Sequence, residues 1–250
     1  MKLGLRATMV LACCLAIALP AVAGTFVNGG FEDGTFNGWT QGAGWWYGGW
    51  PLNPTTYLPG GSNYDINANA SAIVTQGFDP IVGSHLVTVY NGLYAARVND
   101  SYNNYSVSVI SQTVTNYTDP HIYFAWAAVL EASHGPTDSD NFTLMLSDDT
   151  THTVLYAVTY DSYDNGAIFH PYGNWFYTDW QVQDLDVSAL QGDTFTLTLL
   201  GADCPYGGHA GYVYLDGFGG TIPTTPEPGT LALLGSGAIF AASWLRRRLM

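Results

Sequence analysis

Phe142-Thr143-Leu144-Met145-Leu146 and Phe195-Thr196-Leu197-Thr198-Leu199 place a bulky apolar residue at every second position. Successive side chains of an extended chain point to opposite faces, so this spacing makes one apolar face per segment, the mark of a half-buried strand. The same period recurs in Tyr105-Val107-Val109, in Val154-Tyr156-Val158-Tyr160 and in Tyr212-Tyr214. Between these runs lie His134-Gly135-Pro136-Thr137, Asp148-Asp149, Asp164-Asn165-Gly166 and Gln191-Gly192-Asp193, all residues that favour turns. No amphipathic helical stretch of comparable strength occurs between them, and no repeat of 20–50 residues is evident. The expected fold is all-β, with two antiparallel sheets packed face to face as a β-sandwich of the jelly-roll kind.

Composition agrees. Of 250 residues 47% are hydrophobic and 14% aromatic, with 29 Gly and 12 Pro, which suits strands joined by many tight turns. The formal net charge is −14, but its distribution is more telling: Lys2, Arg6, Arg246, Arg247 and Arg248 all lie at the two ends. Between Gly24 and Thr225, 19 acidic residues face the single Arg97. Such a surface repels phosphate backbones, so nucleic acid is excluded as a partner. It also favours cations, which is a modest pointer to calcium. Cys13 and Cys14 fall in the N-terminal apolar run, leaving Cys204 with no partner for an intrachain disulfide.

Residues 1–23 read as a secretory signal peptide: basic Lys2 and Arg6, an apolar run from Met9 to Leu19, then Ala21-Val22-Ala23 before Gly24. At the other end, residues 223–250 hold Pro226-Glu227-Pro228, an apolar run from Thr230 to Leu245, and Arg246-Arg247-Arg248. The 17 residues from Gly229 to Leu245 sit at the short limit of the roughly 17–25 needed for a transmembrane helix, and the arginines belong on the cytoplasmic side. The domain between, 24–222, is therefore expected outside the cytoplasm.

This tail resembles the sorting signal of PEP-CTERM proteins. The resemblance implies recognition by an exosortase-type membrane protease, with Pro226, Glu227 and Pro228 as substrate residues, transient anchoring in the membrane, and release to the cell surface or extracellular matrix. Two further stretches, Val27-Asn28-Gly29-Gly30-Phe31-Glu32-Asp33-Gly34 and Gly211-Tyr212-Val213-Tyr214-Leu215-Asp216-Gly217-Phe218, resemble the first and last segments of galactose-binding-like jelly rolls, the fold of several carbohydrate-binding modules. That resemblance implies a structural calcium held by Glu32 and Asp216, with Asn28 as a further candidate. Gly217-Phe218 departs from the pattern, where modules often continue with another Asp and an aliphatic residue.

Trp45, Trp46, Trp50 and Tyr57 crowd one Gly- and Pro-rich stretch, Gly42–Gly61, read as a long loop. Large rigid rings with a polar handle stack well on sugars, which makes these four candidate glycan-binding residues; the same rings would equally plug the end of a sandwich. Tyr172, Trp175, Tyr177 and Trp180 form a second such group. Signals of catalysis are missing: there is no G-x-S-x-G, no H-E-x-x-H, and only Glu32 and Glu131 as domain glutamates for acid catalysis. The six histidines never fall at the short spacings of zinc sites. His209 stands in Asp203-Cys204-Pro205-Tyr206-Gly207-Gly208-His209-Ala210-Gly211-Tyr212, which resembles a D-C-x-x-G-G-H-x-G-Y stretch of extracellular PEP-CTERM-type proteins and reads as a Gly-rich turn. The expected function is that of an exported, non-catalytic surface or matrix protein with glycan or adhesive interactions involving exopolysaccharide. The alternatives are a carbohydrate-binding module with a specific sugar ligand and a secreted glycan-active enzyme.

Overall fold

The structure is a computed structural model that describes residues 24–164 and 166–221. The signal-peptide segment, the Pro-Glu-Pro motif, the apolar run and the terminal arginines lie outside the described residues. Among the described residues no α-helix occurs, and no helix is long and apolar enough to cross a membrane.

In chain order the strands are β1 (Thr40–Trp45), β2 (Ala72–Thr75), β3 (Phe78–Asp79), β4 (Gly83–Val87), β5 (Tyr94–Val98), β6 (Ser106–Val114), β7 (His121–Glu131), β8 (Asn141–Asp148), β9 (Thr153–Asp161), β10 (Phe169–Tyr172), β11 (Trp175–Thr178), β12 (Gln181–Asp186), β13 (Phe195–Ala202) and β14 (Gly211–Gly219). One sheet runs β1-β6-β13-β8-β9 and the other β10-β11-β7-β14-β5-β2, with β12 also paired to β7. All these pairings are antiparallel. The chain is an all-β sandwich.

Its main core lies between the sheets, where Ile110, Phe142, Leu144, Leu146, Phe195, Leu197 and Leu199 meet Ala96, Val98, Phe124, Trp126, Ala128, Leu130, Val213 and Leu215. The alternating Phe142-Leu144-Leu146 and Phe195-Leu197-Leu199 runs thus point inward and face each other's flanks in register, Leu197 opposite Leu146 and Leu199 opposite Leu144. Two other alternating runs point the opposite way. Val107 and Val109 lie on the outer face of the first sheet, beneath Trp46 and Tyr57. Tyr212 and Tyr214 lie on the outer face of the second, beneath Val82 and Leu86. Their strands are buried on both faces because polypeptide crosses over each sheet, which is why β7, sandwiched in the same way, reads as a nearly unbroken apolar run from Ile122 to Leu130.

The cover over the first sheet begins inside the stretch read as a loop. Gly42–Trp45 belongs to β1, paired to β6 with Gly42 opposite Val109 and Gly44 opposite Val107. A Cβ at either glycine would collide with backbone oxygens, those of Tyr57 and Asn63. The glycines are therefore needed for the 54–64 segment to lie directly on the strand. Over the second sheet passes the hairpin of β3 and β4, fixed at its centre by the buried Asp79. Its Oδ1 accepts the N–H groups of Ile81 and Val82, each at 2.8 Å, and its Oδ2 accepts the hydroxyls of Tyr212 and Tyr214, each at 2.8 Å. Burial and the negative charge of Asp79 raise the pKa values of both tyrosines, so they remain donors.

Candidate functional site

Glu32 and Asp216 come together at one end of the sandwich. Asp216 stands on β14 opposite Ala125, just before a register shift between Asp216 and Gly219 that ends the regular pairing with β7. Its Oδ2 accepts two backbone N–H groups, from Tyr90 and Asn91, each at 2.9 Å. Glu32 holds the next turn of the same loop, accepting from Leu93 N–H at 3.0 Å to each oxygen and from Tyr94 N–H at 3.1 Å. Between them lies Gly30: from the place its missing Cβ would occupy, Asp216 Oδ1 is 3.6 Å away and Glu32 Cγ 3.7 Å. The two carboxylates thus clamp the 90–94 loop from both sides.

Asp216 is 1% exposed, and its Oδ1 is buried without a hydrogen-bond partner. Burial pushes its pKa up to about 7, and the charge of Glu32 adds to the rise. A buried carboxylate oxygen with nothing to accept from costs free energy unless a proton or a cation meets it. Asn28 is not part of this arrangement. Its side chain is committed to its own turn, donating to Asp33 Oδ1 at 2.7 Å and to the Thr35 carbonyl at 2.9 Å while accepting from Asp33 N–H at 3.2 Å. Both ends of the amide hold the 28–37 turn together.

The first aromatic group divides. Trp46 and Tyr57 are each 2% exposed and form, with Val107, Val109, Leu200 and Ala202, a second small core outside the first sheet. Trp50 packs against Trp46 at 6.5 Å between ring centroids. These rings hold the covering segment down, and as a stacking platform for sugar Trp46 and Tyr57 are withdrawn: their faces are already occupied. Trp45, 37% exposed, points the other way from Trp46 because successive strand residues alternate, and its Nε1 donates to Asp65 at 3.3 Å.

The second aromatic group is more open. On the outer face of the second sheet, Tyr172 and Trp175 face each other across the β10–β11 pair, as do His170 and Tyr177. Tyr172 is 41% exposed, and Trp175 and Tyr177 are half-buried. His85 of the covering hairpin completes the group, its ring 5.1 Å from that of Tyr172 and 5.7 Å from that of Tyr177. Polar groups border the rings: Asn174 donates to Glu131 at 3.4 Å, and His170 and Asp179 lie 3.3 Å apart. Trp180, on the far side, is tied by its Nε1 to the Val87 carbonyl at 3.0 Å.

Glu131 ends β7, where a polar exit is expected, and serves as a brace: its Oε2 accepts from Ala210 N–H at 3.2 Å. Asp140, from the acidic Asp138–Asn141 cluster, is buried and accepts from Glu131 N–H at 2.9 Å and Ser162 Oγ at 2.6 Å; burial raises its pKa. Both residues are thus engaged in holding loops.

Comparison with known proteins adds the following. Residues 224–248 match the PEP-CTERM protein-sorting motif. Among curated proteins none matches the chain. Among solved structures, the chain is similar to TmCBM61 in complex with beta-1,4-galactotriose at 14% identity, covering 78% of this chain and 95% of that one with a TM-score of 0.41. It is similar to a non-crystalline cellulose specific carbohydrate-binding module, CBM28, at 15% identity, covering 77% and 92% with a TM-score of 0.37. It is also similar to the CBM22-1 xylan-binding domain from Paenibacillus barcinonensis Xyn10C, at 15% identity, covering 80% and 95% with a TM-score of 0.31. The sandwich is therefore followed by a PEP-CTERM sorting motif, which implies export, processing by an exosortase and a destination at the cell surface or beyond it.

Proposed function

We propose that this protein is an exported, non-catalytic surface protein whose sandwich binds glycan through the outer face of its second sheet. In this reading residues 1–23 are a cleaved signal peptide, 24–222 the binding domain, and 223–250 the sorting tail, removed after transient anchoring so that the domain joins the surface or exopolysaccharide. The observation that carries the binding role is the open aromatic row of Tyr172, Trp175, Tyr177 and His85, bordered by hydrogen-bonding side chains. Exposed rings beside polar groups match the two faces of a sugar, its apolar C–H patch and its rim of hydroxyls.

Calcium has a place in the same reading as a structural ion. The donor set at Glu32 and Asp216 fits it: two carboxylates, one with a buried oxygen that nothing else satisfies. An ion there would neutralise Asp216 and lock the 90–94 loop; the remainder of a six-to-eight oxygen shell would come from carbonyls and water.

The binding role is tested by electrophoresis of the full chain through gels containing soluble galactan, xylan or cellulose derivatives. Retardation by one of them, reduced about 30-fold in affinity by Tyr172→Ala, is the expected outcome, since truncating an aromatic anchor costs about 2 kcal/mol. Equal retardation of the parent and Tyr172→Ala, with loss on Trp45→Ala instead, would move the site to the first sheet. No retardation in any polysaccharide would leave a passive matrix component.

A further inference from the structure

At the end of the sandwich opposite Glu32 and Asp216, two loops bring together three side chains with metal-binding atoms. His134 comes from the loop between β7 and β8, and Cys204 and His209 come from the loop between β13 and β14. One donor atom from each lies within 4.8 Å of the other two. We propose that His134, Cys204 and His209 bind a transition-metal ion of borderline softness, Zn2+ foremost, with a fourth position open to solvent.

The geometry is that of a site rather than of three neighbours. Cys204 Sγ lies 3.7 Å from His209 Nδ1. Sulfur and nitrogen ligands of a tetrahedral zinc ion, at about 2.3 and 2.0 Å from the metal, stand about 3.5 Å apart. The separation therefore needs almost no adjustment to close on an ion. His134 lies over the same loop: its Nε2 is 3.9 Å from where a Gly208 Cβ would stand, and its ring is 4.7 Å from that of His209.

The loop is also built to present these atoms. Cys204 N–H donates to the His209 carbonyl at 3.0 Å, and Gly207 N–H to the Cys204 carbonyl at 3.2 Å, so residues 204–209 close into a tight ring. Gly207 has φ +68°, and a Cβ there would also strike the Tyr105 ring, so the turn requires glycine twice over. Gly208 N–H donates to Cys204 Sγ at 3.4 Å, which holds the sulfur in place within the ring. Outside the ring, Glu131 grips Ala210 N–H; Ser133 Oγ, 3.1 Å from the same His209 Nδ1, gives up that contact when the nitrogen takes the ion. On binding, the Cys204 thiol loses its proton to solvent and the histidines bind as neutral imidazoles. Cys204 is buried, His209 partly buried and His134 exposed, so the ion would sit at the surface with one side facing water. An ion so placed can take a further oxygen or nitrogen donor from outside the chain.

The test is a Co2+ titration of the full chain, exported, purified in detergent, reduced and freed of metal by a chelator. One equivalent of Co2+ is expected to raise a thiolate-to-metal charge-transfer band in the near ultraviolet, and one equivalent of Zn2+ to abolish it by displacement. Cys204→Ser removes the band. His134→Ala, at an exposed loop position, keeps the fold and weakens binding by at least the roughly 10–100-fold that loss of a supporting partner costs a metal site. A folded parent chain that takes up no Co2+, or takes it up equally well as Cys204→Ser, overturns the proposal and leaves the Cys204 and His209 contact a hydrogen bond. Calcium gives no such band, so the outcome is independent of the Glu32 and Asp216 site.

Discussion

Asp79 offers a measurable account of how the outer face of the second sheet is covered. The β3–β4 hairpin pairs its strands only briefly, Phe78 with Val87 and Asp79 with Gly83, so side chains must hold it to the sheet. Removing one hydroxyl, as in Tyr212→Phe, deletes one charge-assisted hydrogen bond and leaves the other from Tyr214, at a cost of about 1.5–3 kcal/mol. Tyr214→Phe costs the same by symmetry of role. The double variant strips Oδ2 of both donors while the carboxylate stays buried, so its cost exceeds the sum of the two, with a coupling of about 1–3 kcal/mol. Urea unfolding of the parent and the three variants gives the coupling directly, and limited proteolysis within residues 76–89 reports release of the hairpin before global unfolding. Strict additivity of the two single changes, with no rise in cleavage of the hairpin, would falsify the view that one carboxylate staples the hairpin to β14.

The remaining expectations concern charge, packing and processing. Because the folded pKa of Asp216 is raised from 3.8 to about 7, the folded chain keeps a proton that the unfolded chain has lost. The associated stability is full below pH ~4 and falls as pH rises through about 7, by about 4 kcal/mol in all. In chelator, the loss between pH 5 and 8 should accordingly be about 3 kcal/mol smaller in Asp216→Asn than in the parent; equal slopes in urea titrations would refute this. Adding Ca2+ at pH 8 should raise the melting temperature of the parent and not that of Asp216→Asn, and an equal response of the two would remove Asp216 from the ion. Trp46→Ala should cost about 3–5 kcal/mol and Trp45→Ala under about 1, as calorimetry can compare; similar costs would contradict the division of those rings between core and surface. In an exosortase-positive host the tail should be lost and Glu227→Ala should slow that loss; full-length chain persisting in the membrane would refute the sorting assignment.

Much of the fold was legible in sequence because alternation reports strands regardless of which side is covered. Phe142, Leu144 and Leu146 point to the main core as a simple half-buried strand should. Val107 and Tyr214 follow the same alternation yet face outward, since a pattern of period two records that one face is apolar without saying what lies over it. The same ambiguity made Trp46 and Tyr57 look like a binding platform, when the glycines of β1 had already made room for Tyr57 to lie against the strand. Glu32 and Asp216 were brought together in advance only by the order of segments in a resembling fold. Cys204 and His209 stand in one short turn of the sequence, but their approach to His134 was hidden, because two loops far apart in sequence meet at one end of the sandwich, a proximity that no local spacing encodes.

Gly24, where the described chain enters, pairs with Tyr117 and Asn116, and Gly220, where it leaves β14, lies against Asp119. Entry and exit therefore share one pole of the sandwich, beside the turn that precedes β7, while the 203–210 and 132–140 loops form the other. A chain held by either terminus hangs from that single pole like a lamp from its flex. Were the tail to hold the domain at the membrane, as proposed, the far loops would meet molecules arriving from outside first, and cutting the tail would change where the domain travels without touching what it presents.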